Sequence, residues 1–159
     1  MGRFYTEIEL LNIMRQLVRT LSLLEKHNIA HRDIKPENVL INGGKYKLCD
    51  FSDSLVCRSG QNTTIVRGTE LFMSPLVLYA YQTNNYAFHD CFKSDVYSLG
   101  ICILMAMTLS EELLFSFIKI KGEQNKLSFI RITLMNRYSA NLINLLFLML
   151  RDDENKRPY

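Results

Sequence analysis

The stretch from Val96 to Leu109, VYSLGICILMAMTL, constrains the fold more than any other part of the chain. It contains no charged residue, and its apolar side chains are spread around the whole circumference of any helix they form. Such a helix must be enclosed by other elements. The run is shorter than the roughly 20 residues needed to cross a bilayer. It is therefore expected to be the central helix of a folded domain, spanning about 94–109. With 159 residues, 48% of them hydrophobic, the chain can supply one compact domain around it.

Composition removes several function classes. The net charge is +3. Lys119, Lys121, Lys126, Arg131 and Arg137 are scattered without an aromatic ladder, which reads as a solvated face and not a nucleic-acid site. Cys49, Cys57, Cys91 and Cys102 show no C-x-x-C spacing and no histidine at metal-ligand distance, so a zinc centre is not expected. No apolar run follows a positive start, so no signal peptide is expected and free thiols point to the cytoplasm. Gly2 and Thr6 stand where a myristoylation signal has them, but Arg3 and Phe4 depart from it, and no membrane attachment is expected.

Leu10, Met14, Leu17, Leu21 and Leu24 recur at three- and four-residue steps, predicting an amphipathic helix over about 7–26. Thr6 and Glu9 form a capping box at its start, and Asn28 suits a left-handed stop at its end. Residues 30–38 are polar, contain Pro36 and read as a loop. Val39–Ile41 and Tyr46–Cys49 flank Asn42-Gly43-Gly44-Lys45, which predicts a β-hairpin. Residues 52–69 lack periodicity, and a loop of that length in a compact domain is usually functional. A leucine-rich helix is expected over about 140–151. The stretch containing Phe115, Phe117, Ile118 and Ile120 fits neither period.

Chemistry concentrates in His31-Arg32-Asp33-Ile34-Lys35-Pro36-Glu37-Asn38 and in Asp50-Phe51, which the hairpin returns to the same place. Two carboxylates, an amide oxygen and a lysine ammonium would converge there. Oxygen ligands of this kind suit Mg²⁺, and a neighbouring lysine suits phosphate. Any one of these residues alone would be an ordinary turn former or surface charge. The joint spacing H-R-D-x-K-x-x-N followed by D-F makes coincidence improbable.

HRDIKPEN resembles the catalytic loop of eukaryotic protein kinases, and Asp50-Phe51-Ser52 resembles their metal-binding D-F-G. Gly68 to Pro75 is similar to the segment that closes the family's activation loop. Lys93 to Gly100 resembles the start of its central helix, and Asn155-Lys156-Arg157-Pro158 its late arginine motif. The resemblance implies a mostly α (α+β) fold: the helical C-terminal lobe of a protein kinase over residues 1–159, with a small β-hairpin at the cleft. The catalytic loop would be 31–38, the metal-binding motif 50–52 and the activation segment 50–75. It further implies ATP-dependent phosphoryl transfer to serine or threonine hydroxyls of a protein substrate. Asp33 would orient the hydroxyl proton, Lys35 would neutralise the phosphoryl group, and Thr69 would bond into the catalytic loop. Asn38 and Asp50 would hold Mg²⁺, with Lys35, Glu37 and Leu40 also lining the ATP site. Arg32 implies regulation by a phosphate at Thr63 or Thr64. Asp95 would anchor the loop's backbone, while His31 and Phe51 would be packing residues.

The sequence departs from the family in three places. It has no glycine-rich loop, strand lysine or paired helix glutamate, so the N-terminal lobe is expected to be absent and the ATP site to lack its roof. A small-lobe or regulatory partner, or missing sequence, would have to supply it. A non-catalytic kinase-like interaction or scaffold module is the opposing reading, since a lone lobe exposes apolar surface. Ser52 replaces the last glycine of D-F-G and is expected to alter switching of the loop without abolishing metal binding. Leu76 stands where the family has a glutamate that pairs with the residue matched by Arg157. Arg157 is then expected to turn to Asp152, Asp153, Glu154 or water.

Overall fold

The computed structural model describes residues 3–57 and 61–158, with residues 61–64 described by their backbone alone. In chain order the elements are α1 (Glu7–Lys26), β1 (Ile29–Ala30), β2 (Val39–Asn42), β3 (Lys45–Leu48), β4 (Leu55–Val56), β5 (Gln61–Thr64), α2 (Pro75–Gln82), β6 (Ala87–Asp90), α3 (Cys91–Thr108), α4 (Glu111–Lys119), α5 (Glu123–Leu134) and α6 (Ala140–Met149). The strands form separate antiparallel pairs: β1 with β4, β2 with β3, and β5 with β6. The described residues are mostly helical, and their strands make only short two-stranded pairings.

The first helix has the expected bounds. Thr6 accepts the Glu9 N–H, and the Glu9 carboxylate accepts the Thr6 N–H at 2.8 Å, satisfying two otherwise orphaned donors. Asn28, at φ 58°, takes the left-handed conformation that stops the helix. Its apolar stripe, Leu10, Ile13, Met14 and Leu17, lies in the core. Gly43 and Gly44, at φ 55° and 75°, make the tight turn of the β2–β3 hairpin.

The central helix α3 begins at Cys91, three residues earlier than the apolar run suggests. Asp90 caps it, accepting the Phe92 and Lys93 N–H groups at 2.9 and 3.0 Å. At 18 residues it is long and apolar enough to cross a membrane, but 78% of it is buried within the protein, against neighbours that include α1, α4, α5 and α6. Leu99, Ile101, Ile103 and Leu104 are buried, each contributing about 1.5–3 kcal/mol. Gly100 allows α6 to approach, since a Cβ there would stand 2.9 Å from Leu150 Cδ2.

The stretch without a clear period folds as two helices, α4 and α5, separated at Gly122, whose φ is 87°. The buried stripe of α5 is Lys126, Ile130 and Leu134, so a lysine breaks the apolar pattern. Lys126 is 4% exposed, bonded to Asp152 and set 5.4 Å over the Phe117 ring. This corrects its reading as part of a solvated face. Within residues 52–69, expected as a loop, Leu55–Val56 and Gln61–Thr64 form the strands β4 and β5. The final helix ends at Met149, two residues short of the expected end.

Arg157 is 3% exposed, so it does not reach water. Nor does it take a carboxylate. Nε donates to Arg151 O at 2.8 Å, Nη1 to Lys93 O at 3.1 Å and Nη2 to Asp152 O at 3.1 Å. The guanidinium lies 5.0 Å from the Tyr97 ring centroid, an arrangement that also favours a cation. The Asp152 carboxylate instead serves Lys126, and that of Glu154 accepts the Asp90 N–H.

Candidate active site

The loop after β1 is held from below. Asp95, on the first turns of α3, accepts the His31 N–H at 2.7 Å through Oδ2 and the Arg32 N–H at 2.9 Å through Oδ1. Burial pushes the Asp95 pKa up to about 7, and the two N–H bonds oppose that rise. Arg32 sits at φ 72°, outside the usual range for a side-chain-bearing residue, and that turn directs the next residues into the cleft. His31 is buried and its Nε2 lies 3.1 Å from Cys49 O, joining the loop to the end of the hairpin. Its ring stands 4.8 Å from that of Phe51, consistent with packing roles for both.

Asp33, Lys35 and Thr69 close a ring of polar contacts. Lys35 Nζ lies 2.7 Å from Asp33 Oδ2 and donates to Thr69 Oγ1 at 2.8 Å, while Thr69 Oγ1 donates to Asp33 Oδ1 at 2.8 Å. Burial pushes the Asp33 pKa up, but the Lys35 and Thr69 bonds outweigh it and hold the carboxyl below its ordinary value. Lys35 is correspondingly raised, chiefly by its bond to Asp33. Gly68 lets Thr69 come this close. Its φ is 104°, and a Cβ there would stand 2.3 Å from Arg32 O.

Asn38 completes the loop. Its Nδ2 donates to Asp33 O at 2.8 Å and to Asp33 Oδ2 at 3.1 Å, which leaves the amide oxygen as an acceptor. Asp50, at φ 60°, lies within electrostatic reach of Asp33 and Lys35. Its Oδ1 accepts both the Ser52 hydroxyl and N–H, the largest influences holding its pKa low. An amide oxygen and a carboxylate fit a hard cation that takes its remaining ligands from phosphate and water. Among the described residues no three His, Cys, Asp or Glu side chains gather as a self-sufficient metal centre.

The remaining expected residues are more dispersed. Glu37 is exposed beside Lys35, and Leu40 is exposed on β2. Arg32 Nη2 donates to Ile65 O at 2.7 Å, so the guanidinium already ties the stretch after β5 to the loop. Thr63 and Thr64 fall in β5, opposite Phe88 and Ala87, and their side chains lie outside the described residues. A cavity of about 30 Å³ beside Asp33 is lined by Arg32, Thr69, Arg67 and His89. Arg67 and His89 carried no recognisable spacing in the sequence and meet there only because β5 pairs with β6.

Residues 2–159 match the family model described as the protein kinase domain. The chain is 35% identical over 109 residues to the dual specificity protein kinase zak2 of Dictyostelium discoideum, covering 63% of this chain and 16% of that protein. It is 28% identical over 156 residues to sperm motility kinase 3A of Mus musculus, covering 98% and 29%. Similarity to the serine/threonine-protein kinase max-2 of Caenorhabditis elegans is 36% over 93 residues, covering 58% and 13%. The chain therefore spans less than a third of the length of each of these relatives.

Proposed function

We propose that this chain, which belongs to the protein kinase domain family, serves ATP-dependent phosphoryl transfer to serine or threonine hydroxyls of proteins as the C-terminal lobe of a kinase domain. The observation that carries the proposal is the closed ring of Asp33, Lys35 and Thr69, with Asn38 and Asp50 beside it. Mg-ATP, when bound, supplies the transferable phosphoryl group and the cation that neutralises it. Asn38 and Asp50 hold the cation, and Lys35 meets the phosphate with a charge that is secured by its raised pKa. Asp33, kept ionised by its partners, accepts a hydrogen bond from the substrate hydroxyl and orients it. Lys35 placed two residues after the aspartate, and its bond to Thr69, support serine and threonine over tyrosine as acceptors. The named relatives include both serine/threonine and dual specificity kinases, so acceptor choice is part of the proposal.

Glu37 and Leu40 complete the nucleotide side, and a small lobe or partner supplies its roof. A phosphate at Thr63 or Thr64 would join Arg32, for which Arg67 and His89 offer further donors. A reducing cytoplasm is the proposed location, resting on cysteine usage alone. A second reading, a non-catalytic interaction module, is favoured by the exposed side chains of Leu40, Ile41, Phe51 and Val56. Thermal melting with and without Mg-ATP separates the two. Stabilisation of the wild-type chain that disappears in Asp50→Asn supports the kinase reading, whereas no nucleotide-dependent shift supports the module.

A further inference from the structure

We propose that Ser52 is a positioning residue for Asp50, holding its carboxylate for a divalent cation through a hydrogen bond that glycine at this position could not make. The inference rests on the reading of Asp50 as a cation ligand. Ser52 Oγ donates to Asp50 Oδ1 at 2.7 Å, and Ser52 N donates to the same oxygen at 3.3 Å. Oδ2 has no hydrogen-bond partner among the described residues and is left for the cation. Two residues later the pattern repeats, with Ser54 N and Oγ both donating to Phe51 O, at 3.1 and 2.7 Å. The turn is therefore closed on itself before any ligand arrives.

Backbone geometry supports the same assignment. Asp50 has φ 60°, an unfavourable region that an aspartate tolerates when its short side chain bonds locally. Ser52 is not among the residues with positive φ, so this arrangement makes no use of a glycine's freedom. A glycine at 52 would open left-handed alternatives in which the bond to Asp50 is lost. Serine removes those alternatives and adds an acceptor-fixing donor. Both effects reduce the ordering that cation binding would otherwise require.

Mn²⁺ is the probe, because its broadening of nearby NMR signals detects even weak binding to the metal-free chain. Losing one hydrogen bond to the ligand carboxylate lowers Mn²⁺ affinity about three- to ten-fold in Ser52→Ala. Ser52→Thr, which keeps the hydroxyl, should stay within about two-fold of wild type, and Ser52→Gly should bind no better than Ser52→Ala. Unchanged melting of the metal-free variants separates positioning from folding. Equal Mn²⁺ affinity in wild type and Ser52→Ala overturns the inference while leaving Asp50 as a ligand. Wild-type broadening that survives Asp50→Asn, or no broadening at all, overturns the reading beneath it, and the inference falls with that reading.

Discussion

Replacing Arg157 with methionine should destabilise the chain severely, whereas restoring an acidic partner through Leu76→Glu should do almost nothing. Family resemblance alone points the other way, since Leu76 removes a carboxylate that the arginine should miss. In this chain the guanidinium is occupied by the carbonyls of Lys93, Arg151 and Asp152 and faces the Tyr97 ring. Leu76 itself is exposed. Methionine fills similar volume but orphans the carbonyls of Arg151 and Asp152, each costing about 1–3 kcal/mol when left unpaired in the interior, while the Lys93 carbonyl keeps its helical partner within α3. Relief of the buried positive charge offsets part of that loss, leaving about 2–4 kcal/mol. For a domain of this size that is a fall in Tm of about 4–16 °C at about 2–4 °C per kcal/mol. Urea unfolding of wild type, Arg157→Met and Leu76→Glu measures it directly. A methionine variant within about 1 kcal/mol of wild type, or a gain of more than about 1 kcal/mol in Leu76→Glu, would refute the carbonyl account.

Three further outcomes are expected. Gly68→Ala forces a Cβ against Arg32 O at a φ of 104°, so the Thr69–Asp33 bond should break, with loss of the Mg-ATP melting shift and about 1–2 kcal/mol of stability. A shift of wild-type size would show that the segment accommodates the methyl group. Lys126→Met should be tolerated within about 1.5 kcal/mol, but Lys126→Glu should cost about 3 kcal/mol or more by facing a buried charge toward Asp152; equal tolerance of both returns Lys126 to the solvated face. Acidification should weaken the fold through His31 and His89, whose pKa values burial pulls below 6.5. The unfolded chain takes up the protons first, so each histidine removes stability as pH drops below about 6.5, by up to about 1.4 kcal/mol per pH unit until its folded pKa is reached, while Asp95, pushed up to about 7, acts in the opposite sense. A His89→Gln variant whose denaturation midpoint has the wild-type pH slope between pH 7 and 5.5 would contradict this.

Where sequence reading succeeded, local signals and tertiary structure agree. The bounds of α1 follow from Thr6, Glu9 and Asn28, each acting within a few residues of itself, and the β2–β3 hairpin follows from Gly43-Gly44. The meeting of Asp33, Lys35 and Asn38 was legible because all three stand within six residues of one short loop. The failures share a physical cause, which is that the deciding partner lies far away in the chain. The polar segment Gln61–Thr64 becomes a strand only because β6 offers it an edge. The stripe of α5 hides behind Lys126, whose burial depends on Asp152 and Phe117. Helix α2, eight residues and apolar nearly throughout, is too short to show a period. Arg157 is satisfied by main-chain carbonyls, groups that every residue carries and no sequence pattern can reveal.

The grip of Asp95 on the amides of His31 and Arg32 has a consequence in time as well as in space. Those two N–H groups are bound to the helix at the centre of the core, so exchange with deuterated solvent requires α3 to release them. The loop at the mouth of the cleft therefore keeps the slow clock of the interior, although most loops keep the fast clock of the surface. A second lobe arriving at this face would meet a loop that is already set, and its docking would not have to freeze one.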